Sequence, residues 1–236
     1  MRVLISIILL LVIAIGIVSV LDQIPFGEHK SEIGEYYLRR GAEETGASNT
    51  VTGVVVNFRG FDTLGEVTVL FVAAIGLGAV LSTRRKSARG EKEPASLILY
   101  TGCRVLFPLI LLFGGYIFIH GHLTPGGGFQ GGAIIASAFV LVYMGCSSER
   151  FSRLAGKSVE SLGGIAFVII GLAGLAGGGR YFLSNYLPKG EFNTLFSAGI
   201  IPIIYIAIGL KVGSELAGII NIMIRDSEVT ETDDWN

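Results

Sequence analysis

Charge is what this chain has least of. Of its 236 residues only 16% are Asp, Glu, Lys or Arg, against about 25% in ordinary soluble domains, and the two signs nearly cancel to a net charge of −1. With no basic surplus to neutralise phosphates, nucleic-acid binding is excluded, and with no acidic surplus a solvated, disordered chain is excluded as well. Cysteine is almost absent. Cys103 and Cys146 form neither a disulfide framework nor a CxxC metal site and read as small apolar fillers. Long polar segments are missing too: the longest runs only from 22 to 50. No soluble catalytic domain fits, so any chemistry belongs inside a membrane or on partner chains. What fills the sequence is apolar: 51% hydrophobic residues, 34 glycines and a mean hydropathy of +0.65. The glycines sit within apolar runs, where small residues let helix backbones approach closely.

A bilayer core about 30 Å thick needs roughly 20 apolar helical residues. Runs of that kind predict an all-α integral membrane protein with spans at 3–21, 62–83, 97–119, 130–147, 159–178 and 195–224. The first run ends in Ser19-Val20-Leu21-Asp22-Gln23, without the small-residue site of a cleaved signal, and is read as a retained helix. Arg84 to Pro94 is the one strongly basic linker. It divides the chain into a two-helix part, 1–90, with an outer loop at 22–50, and a four-helix part, 95–225, followed by an acidic tail at 226–236. Arg2, the linker, Arg150, Arg153, Lys157 and Arg225 outnumber the Lys and Arg of the opposite loops, which predicts both termini in the cytoplasm. Within the outer loop, Ser31 to Arg40 reads as a surface helix stopped by Gly41.

A charge at mid-membrane costs about 2.5 to 3.5 kcal/mol on insertion scales, so each one needs a reason. Arg59, Asp62 and Glu66 are spaced to share one helix face. One arginine cannot neutralise two carboxylates. Asp62 is expected to pair with Arg59 near the outer interface, or to cap the helix, leaving Glu66 deeper and short of a partner. Glu66 then either meets a cation on another subunit or is protonated; both outcomes suit a proton or sodium relay and make Asp62 and Glu66 ion-path candidates. Lys211 and Glu215, four residues apart, read as an ion pair. With a helix start near Leu195, Lys211 lies about 24 Å along, close enough to the cytoplasmic surface to snorkel. The alternative is a buried pair whose lysine exchanges protons. Arg104, always charged, is expected to hold a carboxylate ionised or lock a subunit contact.

Between the third and fourth spans lies His120-Gly121-His122-Leu123-Thr124-Pro125-Gly126-Gly127-Gly128-Phe129-Gln130. Pro125 and three successive glycines break any helix and permit a tight turn, and backbone of this kind at membrane depth survives only where protein or water covers it. Gln130 adds a polar group at the start of the next span. His120 and His122 are spaced H-x-H, but zinc wants three or four ligands, so no metal site is expected. A proton shuttle, or plain polar termination of the third helix, remains open for them.

The run from Arg104 to Gly132, above all Gly121-His122 followed by Thr124-Pro125-Gly126-Gly127-Gly128-Phe129-Gln130-Gly131-Gly132, resembles the B-type subunit (MrpB or MnhB) of multisubunit sodium/proton antiporters, a resemblance covering roughly 95–225. Separately, Asn49 to Glu66 is similar to the short E-type module that ends the large A-type subunit of those antiporters. Here the E-like part is fused to the B-like part. Separate small E- and B-type subunits are the arrangement of related membrane-bound hydrogenases and sulfur reductases. The resemblance therefore implies a non-catalytic membrane subunit of a ferredoxin-linked respiratory complex that couples redox chemistry to Na+ or H+ movement, with an antiporter subunit or a non-conducting scaffold as alternatives. It also implies A/D-type, C-type and G-type membrane partners, possible peripheral redox subunits carrying the iron-sulfur and metal centres, no cofactor on this chain, and a prokaryotic cell membrane around it.

Overall fold

The computed structural model describes residues 2–24, 32–82, 95–145, 153–177 and 181–230. Among these every regular element is helical: α1 (Arg2–Asp22), α2 (Glu32–Thr45), a single turn α3 (Thr50–Thr52) running into a π-helical turn (Gly53–Phe58), α4 (Gly60–Ser82), α5 (Leu97–Ile119), α6 (Gly128–Gly145), α7 (Arg153–Ala176) and α8 (Ile201–Thr230). Six of them, α1 and α4 to α8, are long and apolar enough to cross a membrane. The basic linker, Ser31, Cys146, Arg150, Arg180 and the last residues of the tail lie outside the described residues.

The chain divides into two compact units, Met1–Tyr36 and Tyr37–Asn236. In the first, α1 exposes every described side chain. Leu, Ile and Val on all sides of a helix need lipid or another protein around them.

The second unit is organised around α8, which packs against α6 and α7 most extensively and also against α4 and α5. More than half of its spanning window is buried, a larger share than in any other span. Ile201, Ile204, Ile208 and Val212 recur at helical spacing along it, each 1% exposed or less, and meet Phe167, Phe182, Leu183 and Val56. Lipid is as apolar as these side chains, so close packing rather than water exclusion joins the helices. Glycine allows that closeness. A Cβ on Gly128 would sit 2.6 Å from Ile208, and one on Gly132 would sit 2.9 Å from Val212.

Helices α2, α7 and α8 have boundaries several residues away from the sequence reading. Helix α2 passes through Gly41 and ends at Thr45, because the residue that turns left-handed is Gly46, with φ +74° and its N–H on the Ala42 carbonyl. Residues 32–40, read as a surface helix, are exposed or half-buried, and burial begins beyond them at Gly41 and Thr45. Helix α7 starts at Arg153 rather than 159, since Lys and Glu are good helix formers even where they end an apolar run. Helix α8 begins at Ile201 rather than Leu195. Ala198 and Gly199 both adopt positive φ, which no helix propagates, and Pro202 then sits in the first turn, where its missing N–H costs nothing. At its other end α8 continues to Thr230, making the first part of the acidic tail helical.

Candidate functional site

The late start of α8 changes the depth of its charges. Lys211 lies ten residues beyond Ile201, about 15 Å along the helix, near the middle of the spanning segment Ile201–Met223. It does not snorkel. Its side chain is 9% exposed and that of Glu215 is 1% exposed, with Lys211 Nζ donating to Glu215 Oε2 at 2.6 Å. The stem of Lys211 lies against Gly163 and Gly164 of α7, a Cβ on Gly163 would crowd it at 3.1 Å, and Nζ stands 5.4 Å from the centre of the Phe71 ring of α4. Glu215 Oε1 is buried without a hydrogen-bond partner among the described residues. The pair is neutral in sum and half satisfied, an arrangement that removes a full charge from the membrane interior while leaving one carboxylate oxygen free to accept.

The other charges are placed differently. Arg59 is not on the helix with Asp62. It caps the π turn with φ −121° and ψ 39°, and its guanidinium reaches the carboxylate of Asp62 in the first turn of α4, both side chains half exposed or more. Glu66, about 9 Å into the spanning segment, is exposed on the surface of α4 and has no ion pair among the described residues. Arg104 is also exposed, donating to the Tyr100 hydroxyl at 3.1 Å and lying over that ring. The structure brings Lys211 to Glu215 and Arg59 to Asp62, and gathers no larger cluster from these residues.

The glycine turn is held from the E-like side. Asn49 uses both ends of its amide: Oδ1 caps the N–H groups of Val51 and Thr52, and Nδ2 donates to the carbonyls of Gly121 and Thr124. Tyr205 of α8 donates to Thr52 Oγ1 at 2.9 Å, which donates in turn to the Gly121 carbonyl at 2.6 Å. Within the turn Gly127 takes φ +147°, and a Cβ on Gly121 would strike the Tyr205 ring at 2.7 Å. Gly126 abuts the Ile117 carbonyl, Gly128 opens α6, and Pro125 and Gln130 are exposed. His120 stacks on Tyr116 and bonds its carbonyl, ending α5. His122 is fully buried and bonds the Thr194 carbonyl at 3.3 Å through Nε2. Burial lowers its pKa below the usual histidine value, more strongly than the carbonyl contact raises it. The two histidines thus occupy different surroundings, and no group of three His, Cys, Asp or Glu side chains converges among the described residues.

Sequence reasoning passed over the hydroxyl relay and the π turn. Asn57, buried in that turn, donates to the Tyr181 hydroxyl at 3.2 Å while its Oδ1 lacks a partner among the described residues, and Thr63 covers the Val55 carbonyl that the wide turn frees. Thr52 and Asn57 inside the run Val51 to Phe58 were the available signal.

The two motifs that resemble E-type and B-type subunits therefore meet each other within one chain, and known proteins match both. Residues 98–218 match the family described as a domain related to the MnhB subunit of Na+/H+ antiporters. The chain belongs to that family. Residues 1–96 match a second family, MbhE, the E-type subunit of MBH. An uncharacterized protein of Methanocaldococcus jannaschii is 34% identical over 197 residues, covering 72% of this chain and 74% of its own length. The B-type subunit of the Na+/H+ antiporter of Bacillus subtilis is 38% identical over 85 residues, 36% of this chain and 54% of that protein. Among solved structures, a chain of the membrane-bound sulfane sulfur reductase, an archaeal respiratory membrane complex, matches with TM-score 0.80 and 50% identity, covering 94% of this chain and 97% of that one. The Mrp complex of Dietzia sp. matches with TM-score 0.75 and 28% identity, over 94% of this chain and 26% of that one. This member of the MnhB-related family is a multi-pass prokaryotic membrane protein.

Proposed function

We propose that the chain is a membrane subunit of an Mrp-type ion-translocating module built into a respiratory complex of the sulfur reductase type, in which redox chemistry on partner chains drives Na+ or H+ movement. The likeness that carries this reading is the near end-to-end match to one chain of the sulfane sulfur reductase, at 50% identity. A membrane-bound hydrogenase is the neighbouring possibility, supported by the match of residues 1–96. A plain Na+/H+ antiporter module is the second reading, favoured by the relation to the B-type subunit of an antiporter.

Physical features support a role inside a larger assembly. Glu66 and Arg104 are exposed on helices whose surroundings are apolar, and charges there need protein or water over them. On this reading iron-sulfur chemistry belongs to other chains, with A/D-type, C-type and G-type membrane subunits as the partners that would cover these helices. Both termini lie, on this reading, on the cytoplasmic side, on the strength of the Lys and Arg excess in the loops of that side.

Mild-detergent purification of the tagged chain from its own membranes, with identification of every co-purifying polypeptide, tests the reading. Antiporter-like membrane subunits together with iron-sulfur proteins are expected. Antiporter-like subunits alone would transfer the chain to the second reading, and recovery as a lone active transporter would refute both.

A further inference from the structure

Beside the buried pair lies a cavity of about 520 Å³, walled by α4, α5, α6, α7 and α8. It follows α8 from Leu210 to Ile222, and Glu215 forms part of its wall. Most of its surface is apolar. Its charged and amide groups, Lys157 and Glu160 of α7 and Asn221 of α8, gather toward the Ile222 end. In the opposite direction the path closes: Ile208, Ile204 and Ile201 follow one another along α8, each 1% exposed or less.

Resting on the ion-translocating reading above, we propose that Glu215 is a proton-binding carboxyl, loaded through this cavity from the Ile222 end of the bundle only. Three observations carry it. The side chain is almost wholly buried, yet Oε1 has no partner among the described residues, and the residue borders open space. The ammonium of Lys211 sits 2.6 Å from the other oxygen. The ammonium opposes any added positive charge, a proton included, but a proton needs only one lone pair of the free oxygen Oε1, whereas a hard metal cation needs several oxygen ligands at once. The blocked side then means that a proton entering here leaves the same way unless the packing of α8 shifts or a partner helix opens a second route. The titratable groups facing Glu215 are Lys211 on its own helix, Lys157 and Glu160 from α7 and Tyr143 from α6. The walls from α4 and α5, Phe71, Ala74, Ile75, Leu111, Gly115 and Phe118, contribute none.

Carbodiimides add only to protonated carboxyls in apolar surroundings, so treatment of the intact complex with dicyclohexylcarbodiimide, followed by peptide mapping of this chain, reads the site directly. Glu215 is expected to be modified, with a yield falling about tenfold per pH unit above its titration and unchanged by added Na+. Gly218 borders the cavity, and a Cβ added there would meet nothing within 4 Å, so Gly218→Leu should narrow the entry and cut the yield several-fold with the complex still assembled. Protection by Na+ at fixed pH would make this a cation site and overturn the proposal. So would modification of Glu160 without Glu215 at any pH, or an unchanged yield in Gly218→Leu. Because the yield is measured on this chain's own peptide, the result is independent of which subunits co-purify.

Discussion

Lys211 and Glu215 are the residues on which most depends. A buried pair contributes little net stability, but removing one member strands the other charge. Lys211→Met is therefore expected to cost about 3 to 5 kcal/mol, seen as a large fall in the thermal midpoint of the purified complex. The double variant Lys211→Met/Glu215→Leu should recover most of the loss, since two apolar side chains of similar size suit the same space. Equal instability of the double variant would mean that the pair is not the source of the effect. Spacing alone identified these two as partners, because four residues is one helical turn and turn geometry is local. Their burial was one of two readings that spacing alone did not decide. It depends on Gly163 and Gly164 lying beside Lys211 and on where α8 begins, both products of tertiary structure.

Helices themselves were legible wherever an apolar run exceeded the membrane thickness, and boundaries failed where a single residue decides the backbone. Ala198 was read as part of a span, yet it takes φ 65° beside Gly199 and delays α8 by a full turn and more. The π turn at Gly53–Phe58 left no periodic trace, since its extra residue is stabilised by the Thr63 hydroxyl from the next helix. The turn between α5 and α6 was legible as a break, but its attachment to Asn49 and Thr52 was not, because no local pattern records a bond between segments this far apart in sequence. Burial of His122 gives the turn a pH dependence. His122 is buried with its pKa lowered, so the unfolded chain binds more protons as pH falls below about 6.5 and stability is lost on acidification, while it is flat above that value. Thermal midpoints of the complex should decline from neutrality toward about pH 5, and His122→Gln should flatten the decline. A slope identical in the variant would assign it to other groups.

As a whole molecule the chain is incomplete in lipid. Helix α1 buries none of its described residues, Glu66 and Arg104 are uncovered within spanning segments, and the second unit centres on a helix carrying two buried charges. Each feature makes sense once neighbouring subunits surround it, as the membership of the MnhB-related family and the match to a respiratory membrane complex imply. A scaffold would need the charges only for assembly, whereas a coupling subunit needs them during turnover. The distinguishing measurement is ion movement driven by the complex in sealed inverted membrane vesicles, comparing wild type with Glu215→Gln at matched levels of assembled complex. Loss of about tenfold or more in driven ion movement, with the subunits still associated, is the predicted result; wild-type ion movement in the variant contradicts a conducting or coupling role for this chain.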